Sequence, residues 1–415
     1  MNPEMATTPP HYIFRNGLRL VQPYYSTQPI TVKGRWINKT VLQVFSTEFR
    51  DFSEEQHKQS ILSNQVKVTR TRTIKDPVTR KRHKSTQEFI GDSLLSPTQF
   101  LKSGDLIYRT KHNHEIPVIG KSIRIIHQDT ELLVIDKPSG IPIHPVQKYY
   151  YNTITEILKT QLGVDQIHPC HRLDKLTSGI CILALNPQKA TQIQNQIKLK
   201  EIQKEYVARV SGILGQVGDE LVCDEDVVVV DTKKGFHDGV CKKSARTSFK
   251  VMKVNKELNQ SVVKCVPETG RTHQIRIHLR NLGCAIVNDP LYNAEMKGLL
   301  GEVSGGDGKS VKGDKEQENS DSDVNADADA GAGADGGNVL DKKQFDKLLD
   351  RANHKRDVLL TGERCDDCGM PLYKEPKAKD MVLYLHAFKY YTKNDTVGDG
   401  PSWSFETKLP DWANI

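Results

Sequence analysis

The chain has 415 residues, 37% of them hydrophobic and 27% charged, enough for two or three domains if some of it stays outside a core. It contains no run of about 18 apolar residues, which excludes a membrane-spanning helix. The formal net charge is +7, but residues 301–340 hold ten acids against three lysines, a local −7 that leaves +14 on the remainder; that sign favours a polyanionic partner such as nucleic acid.

Residues 1–30 carry Pro9, Pro10, Pro23 and Pro29 among several tyrosines and read as an extended N-terminal segment. Residues 31–120 read as a small domain. Within it, 40–49 (TVLQVFSTEF) sets Val41, Val44, Phe45 and Phe49 at helical spacing, and 54–62 suggests a second short helix. Residues 66–84 (VKVTRTRTIKDPVTRKRHK) alternate at first and hold eight Lys or Arg against one acid, Asp76. Arg80, Lys81 and Arg82 are the candidate phosphate contacts of this run, and a solvated face is the plainer alternative. Gly104-Asp105 then forms a turn feeding a strand at 106–108.

From residue 121 to 300 the pattern becomes strand-rich. Segments 123–126 and 132–135 flank Asp129-Thr130 as a hairpin, 153–162 reads as a helix, and 179–185 (GICILAL) reads as a buried strand. Asn186-Pro187 is a helix start, with Ala190, Ile193 and Ile197 on one face. Strands follow at 206–210, 245–254 and 261–266. Residues 301–345 are an acidic Gly/Ala/Asp-rich stretch, expected to be a disordered surface insertion. The fold resumes over 346–415 with a strand at 381–385 and a Pro-bounded tail at 401–410. Runs of strands with few helices predict an α+β fold with an antiparallel or mixed sheet, not a doubly wound one.

Eight cysteines, six of them scattered singly, point to a reducing compartment. The first thirty residues lack a basic start followed by an apolar run, so no secretory leader is expected; residues 5–28 lack acids, which leaves a mitochondrial presequence open. Cys365 and Cys368 form one CxxC pair, two ligands at zinc spacing where a closed site needs four; His386 or Cys284 would complete it.

Two segments concentrate reactive groups. In 171–179 (HRLDKLTSG), Asp174 stands between Arg172 and Lys175 on a loop before a buried strand. A carboxylate among cations is held ionised and serves as nucleophile or base, although an ion-paired loop aspartate is the bland reading. In 268–279 (ETGRTHQIRIHL), Arg271 and Arg276 stand five apart with His273 and His278 matching them. Such an array aims a guanidinium at a carboxylate or phosphate, or else is a solvated basic helix start. Tyr206 heads the strand KEYVARV, a core position unless a base stacks on it. The ligand signatures of the zinc deaminases and the motifs of the protein kinases are absent.

HRLDKLTSG, preceded by LLVIDKPSGIPIHP and followed by KEYVARVSG, TGRTHQIRIHL, GCAIVNDPLY, LHAFKYY and FETKLPDW, resembles the RluA-type pseudouridine synthase family over residues 123–296 and 381–412. The opening YIFRNGLRLVQPYY and VKGRW is similar to its eukaryotic, fungal-like branch, which modifies the anticodon stem-loop of transfer RNA. The resemblance implies a pseudouridine synthase α+β core with a mixed sheet, preceded by a small α+β RNA-binding domain similar to a ribosomal-protein module. It further implies isomerisation of one uridine at position 31 or 32, with transfer RNA as partner. The reaction so implied needs no cofactor or metal; no membrane partner is expected, and the protein is expected to be a monomer of the cytoplasm, with mitochondrion and nucleus open. Asp174 falls on the family's catalytic aspartate, Tyr206 on the aromatic that stacks on the target base, and Arg276 on the arginine that pairs with the aspartate. Arg172 falls on the residue linked with opening the RNA, with Arg271 a further substrate contact. A ribosomal or messenger RNA target, or a non-catalytic RNA chaperone, are the alternatives. A carboxylate can attack the sugar carbon or abstract a sugar proton, and the residues alone leave both routes open.

Overall fold

The structure, a computed structural model, describes residues 10–49, 52–75, 82–90, 95–146, 148–230, 240–293, 359–393 and 402–415. These fall into two units, one drawn from Gln22–His114 and Cys365–Met370, the other from Tyr12–Val21, Glu115–Arg364 and Pro371–Ile415. The division differs from the expected one in three places: the boundary lies at 114/115, residues 365–370 group with the smaller unit, and Tyr12–Val21 forms a hairpin of the larger unit instead of part of one extended segment. The acidic stretch 301–345 lies outside the described residues, as do Arg80 and Lys81.

β1 (Tyr12–Arg15) and β2 (Leu18–Val21) form a hairpin in the larger unit. Asn16 and Gly17 turn it with φ of 53° and 73°, the left-handed pair that a two-residue hairpin favours. β3 (Tyr24–Thr31) opens the smaller unit. There α1 (Val41–Glu48) and α2 (Glu54–Leu62) each start with a reciprocal cap, Thr40 with Gln43 and Ser53 with Gln56, which satisfies backbone donors that a helix start leaves bare. β4 (Val66–Lys75), β5 (Arg82–Phe89) and β6 (Leu106–Asn113) complete an antiparallel sheet in the order β3-β6-β4-β5. The unit's core gathers Trp36, Val41, Val44, Phe45, Ile61, Val66, Val68 and Ile107, each full burial contributing about 1.5–3 kcal/mol. One cation of the basic run is committed inside this unit. Arg70 donates to both oxygens of the buried Asp105 at 2.7 Å. Arg82 begins β5, but its side chain is outside the described set.

The larger unit continues with β7 (Val118–Ile119), which pairs with β2, then β8 (Arg124–Gln128), β9 (Leu132–Lys137), α3 (Ile154–Leu162), β10 (His168–Pro169), β11 (Ser178–Ala184) and α4 (Pro187–Lys198). β12 (Ile202–Ser211), β13 (Glu220–Cys223), β14 (Val227–Val230), β15 (Val240–Lys243), β16 (Thr247–Asn255) and β17 (Gln260–Pro267) precede α5 (Gln274–Asn281). β18 (Leu360–Arg364) and β19 (Pro371–Tyr373) pair with each other, and β20 (Leu385–Thr392) and β21 (Ser404–Glu406) close the fold. The expected strand at 381–385 is corrected: Ala378–Met381 is a 3-10 turn and the strand begins at Leu385.

The main sheet runs β13-β16-β17-β12-β20-β11-β9-β8, with β10 on β11 and β21 on β20. Its pairs are antiparallel except β11 with β20 at the centre, so the sheet is mixed. Ile180, Cys181, Ile182 and Leu183 are consecutively buried, which identifies β11 as a strand covered on both faces. The parallel register places Gly179 beside Ala387. There φ is +106° and a Cβ would stand 2.2 Å from the Ala387 carbonyl oxygen, so only glycine fits where the 171–177 loop enters the sheet.

Candidate active site

The loop between β10 and β11 carries Asp174, and its turn closes with Thr177 N–H donating to the Asp174 carbonyl at 3.1 Å. The end of β9 and the segment after it hold this loop. Lys137 is fully buried, and its ammonium donates to the carbonyls of Pro138 (3.0 Å), Ile141 (2.9 Å) and Lys175 (3.0 Å). Gly140 N–H donates to the same Lys175 carbonyl at 2.8 Å, and the Ser139 hydroxyl contacts the carbonyls of Leu176 and Met381. Burial pushes Lys137 down to about 7, while three carbonyl acceptors favour its charged form.

Across from the loop, the start of α5 brings up the His273 imidazole and the Arg276 guanidinium. Asp174 Oδ2 lies 3.5 Å from His273 Nε2 and 3.6 Å from a terminal nitrogen of Arg276. Burial pushes the Asp174 carboxyl up, but His273, Arg276, Arg172 and Lys137 together outweigh it and hold the group below its ordinary value. It is therefore an ionised carboxylate with one fifth of its side-chain surface still open. At 3.6 Å the Arg276 contact is an ion pair without a direct hydrogen bond.

Arg276 is itself fixed. Its Nε and other terminal nitrogen donate to the two oxygens of the buried Asp289 at 2.7 and 2.8 Å. Asp289 also accepts from the backbone N–H groups of Leu291 and Tyr292. Burial opposes the Arg276 charge, and Asp289 more than restores it. Tyr292 packs its ring 5.0 Å from the guanidinium carbon, and its hydroxyl is 2.9 Å from His273 Nδ1. His273 adopts φ +55° immediately before α5, which turns its ring inward. The reading of this segment as a solvated basic helix start is thereby corrected, since His273, Arg276 and His278 are all buried.

Tyr206 stands at a register shift between β12 and β20. Its hydroxyl is 2.6 Å from that of Tyr390, and burial pushes it well up, with the Asp174 charge adding to the effect. Arg172 is exposed, its charge reaching Asp174. Arg271 is exposed too; its Nε donates to the Ser244 carbonyl at 3.2 Å. Neither residue suggested to complete the Cys365–Cys368 pair does so. His386 lies between Ser178 Oγ (2.9 Å) and Thr407 Oγ1 (2.6 Å), with burial lowering it to about 4, and Cys284 is buried in the main core. The two thiols meet His112 and His114 instead.

The sequence reading passed over Lys137 and Asp289 and did not pair His273 with Asp174. Lys137 sits in DKPSG and Asp289 in NDPLY, where a charged residue beside proline was the available signal. The assembled group is a partly open carboxylate paired with a rigid guanidinium, able to attack an electrophilic carbon or take a proton from one.

The RNA pseudouridylate synthase family model matches residues 131–281. The chain is 33% identical over 404 residues to the mitochondrial tRNA pseudouridine(32) synthase of Saccharomyces cerevisiae, covering 95% of this chain and 77% of that protein. It is also 33% identical over 436 residues to the tRNA pseudouridine(31) synthase of the same organism, covering 97% and 96%. Pseudouridylate synthase RPUSD2 of Mus musculus is 31% identical over 442 residues, covering 97% and 72%. Among solved structures, human RNA pseudouridylate synthase domain containing 4 is 21% identical, with 70% of this chain and 90% of that chain covered and a TM-score of 0.39.

Proposed function

The chain belongs to the RNA pseudouridylate synthase family, and from that premise we propose that it isomerises a uridine in the anticodon stem-loop of transfer RNA, at position 31 or 32, with Asp174 as the catalytic carboxylate. The observation that carries the reading is the ionised Asp174 held opposite His273 and Arg276 with part of its surface open. The names of the two yeast relatives support transfer RNA and this pair of positions.

The reaction breaks the bond from uracil N1 to the ribose C1′, turns the ring, and joins C5 to the same carbon. The C5 proton leaves to solvent and N1 gains one, so no atom is supplied by a cofactor. Asp174 acts on the sugar, as nucleophile at C1′ or as base toward a sugar proton. Arg276 and His273 keep it charged in a cleft that would otherwise favour the neutral acid. The target base must leave its stack, at a cost of a few kcal/mol. Arg172 fills the gap in the RNA, and Tyr206 and Arg271 bind the extruded nucleotide. The protein acts as a monomer, with the cationic β4–β5 hairpin of the smaller unit adding phosphate contacts.

Mapping pseudouridines in all RNAs of cells lacking the protein tests the assignment. Loss confined to position 31 or 32 of transfer RNAs is expected, and recombinant protein should restore it on unmodified transcripts. Loss confined to ribosomal or messenger RNA would move the substrate elsewhere.

A further inference from the structure

We propose that His112, His114, Cys365 and Cys368 form a structural zinc site within the smaller unit. The four donor atoms, two imidazole nitrogens and two thiol sulfurs, all lie within 4.8 Å of one another, and all four residues are half-buried.

The two halves of the site are built by different local rules. His112 lies in β6 and His114 just past its end, two residues apart, so the strand's alternation puts both on one face. Tyr25 stacks on His112 with ring centroids 4.5 Å apart, which fixes that imidazole's plane. The thiols come from the turn between β18 and β19, Cys365-Asp366-Asp367-Cys368-Gly369. Cys365 N–H donates to the Met370 carbonyl at 2.9 Å, and Gly369 N–H donates to the Cys365 carbonyl at 2.8 Å. Gly369 has φ +68°, the left-handed conformation that lets the chain reverse directly after the second cysteine. The six residues 365–370 group with the smaller unit although their neighbours in the chain do not.

The two N···S distances lie near the edges of a tetrahedral zinc site. A tetrahedral zinc with Zn–N of about 2.05 Å and Zn–S of about 2.3 Å has N···S edges of about 3.6 Å and an S···S edge of about 3.8 Å. Here His114 Nε2 is 3.3 Å from Cys368 Sγ, and His112 Nδ1 is 3.6 Å from Cys365 Sγ. The donor set contains no carboxylate or hydroxyl, and two thiolates with two imidazoles match a closed, four-coordinate zinc centre. With all four positions filled by protein, the ion has no place for substrate, so its role is to fasten the 365–370 turn to β6, across more than 250 residues of chain.

The test uses full-length protein purified from zinc-supplemented medium. One equivalent of zinc per chain is expected, released by a mercurial and not by dialysis alone. Refilling the emptied protein with cobalt should give the intense visible bands of a tetrahedral ion together with a sulfur-to-cobalt charge-transfer band. The double variant C365S/C368S and the double variant H112A/H114A should each lose the metal and unfold at lower temperature, while tritium release from labelled uridine survives in whatever fraction stays folded. Wild-type protein that takes up no zinc and gives an octahedral cobalt spectrum would overturn the proposal, and this readout does not depend on any variant folding. Stoichiometric zinc retained by the folded C365S/C368S variant would overturn it as well.

Discussion

Asp289 grips Arg276 through two hydrogen bonds of 2.7 and 2.8 Å, so that the remaining terminal nitrogen of the guanidinium is the one facing Asp174, at 3.6 Å. A fork held on two of its three nitrogens cannot swing, and its aim is set before substrate arrives. Asp289→Asn replaces one acceptor by an amide that opposes the guanidinium. The expected outcome is a fall in kcat on the order of 10²-fold with RNA affinity little changed. Equal loss of binding and turnover would make Asp289 a structural residue only.

The acid limb of the rate profile reports the carboxylate. With Asp174 as the proposed catalytic carboxylate, turnover would need it ionised; its pKa is held below its ordinary value, so activity should persist to lower pH than an unperturbed aspartate allows. Removing a neighbouring cation in His273→Gln or Arg276→Met should move that limb to higher pH. The same depression stabilises the fold above the unfolded-state pKa, and this contribution is lost as pH falls through the folded value. Limbs that coincide in wild type and both variants would show that another group sets the profile.

Asp174→Asn should abolish pseudouridine formation while RNA binding stays nearly intact, because affinity comes mainly from phosphate contacts. Tritium release from carbon-5-labelled uridine and filter binding, measured side by side, separate the two. Turnover above a trace would remove Asp174 from the reaction.

Lys137 is expected to be a stability residue as much as a site residue. Lys137→Met withdraws the donor from three carbonyls that hold the Asp174 loop and should destabilise the protein by about 3 kcal/mol. Its pKa is lowered in the folded state, to about 7, so folding is disfavoured by this group at and below that pH and relieved as pH rises toward 10. Denaturant melts of both proteins between pH 6 and 9 should therefore differ in slope with pH; parallel curves would show that the ammonium stays charged throughout.

The cationic run divides by role. Replacing Arg80, Lys81 and Arg82 with Ala should weaken RNA binding and reduce the slope of log K against log salt by roughly 0.7–0.9 per lost contact. Arg70→Ala should instead leave the buried Asp105 without its guanidinium and destabilise the protein by about 2–3 kcal/mol, with the salt slope unchanged. An unaltered slope in the triple variant would make the run a solvated face.

What the residue order determined by itself was local or contiguous. The two helices of the smaller unit start at Thr40 and Ser53, where short-range caps decide the outcome, and β11 was visible as an unbroken apolar run. The 171–179 loop and the segment leading into α5 stood out because reactive groups crowd into a few consecutive positions. Tertiary structure alone decided which groups meet. Asp174 and Arg276 stand about a hundred residues apart, and no periodicity says that Asp289 is the anchor of one or Lys137 the clamp of the other. Arg70 looked like its basic neighbours until the sheet brought Asp105 beneath it. Cys365 and Cys368 looked like half a metal site with His386 or Cys284 to finish it. Strand pairing instead turned His386 toward Ser178 and Thr407, while the fold carried the cysteine turn to His112 and His114. Buried charges and metal donors are chosen by whichever partner the folded chain places within a few ångströms, and sequence separation carries no record of that distance.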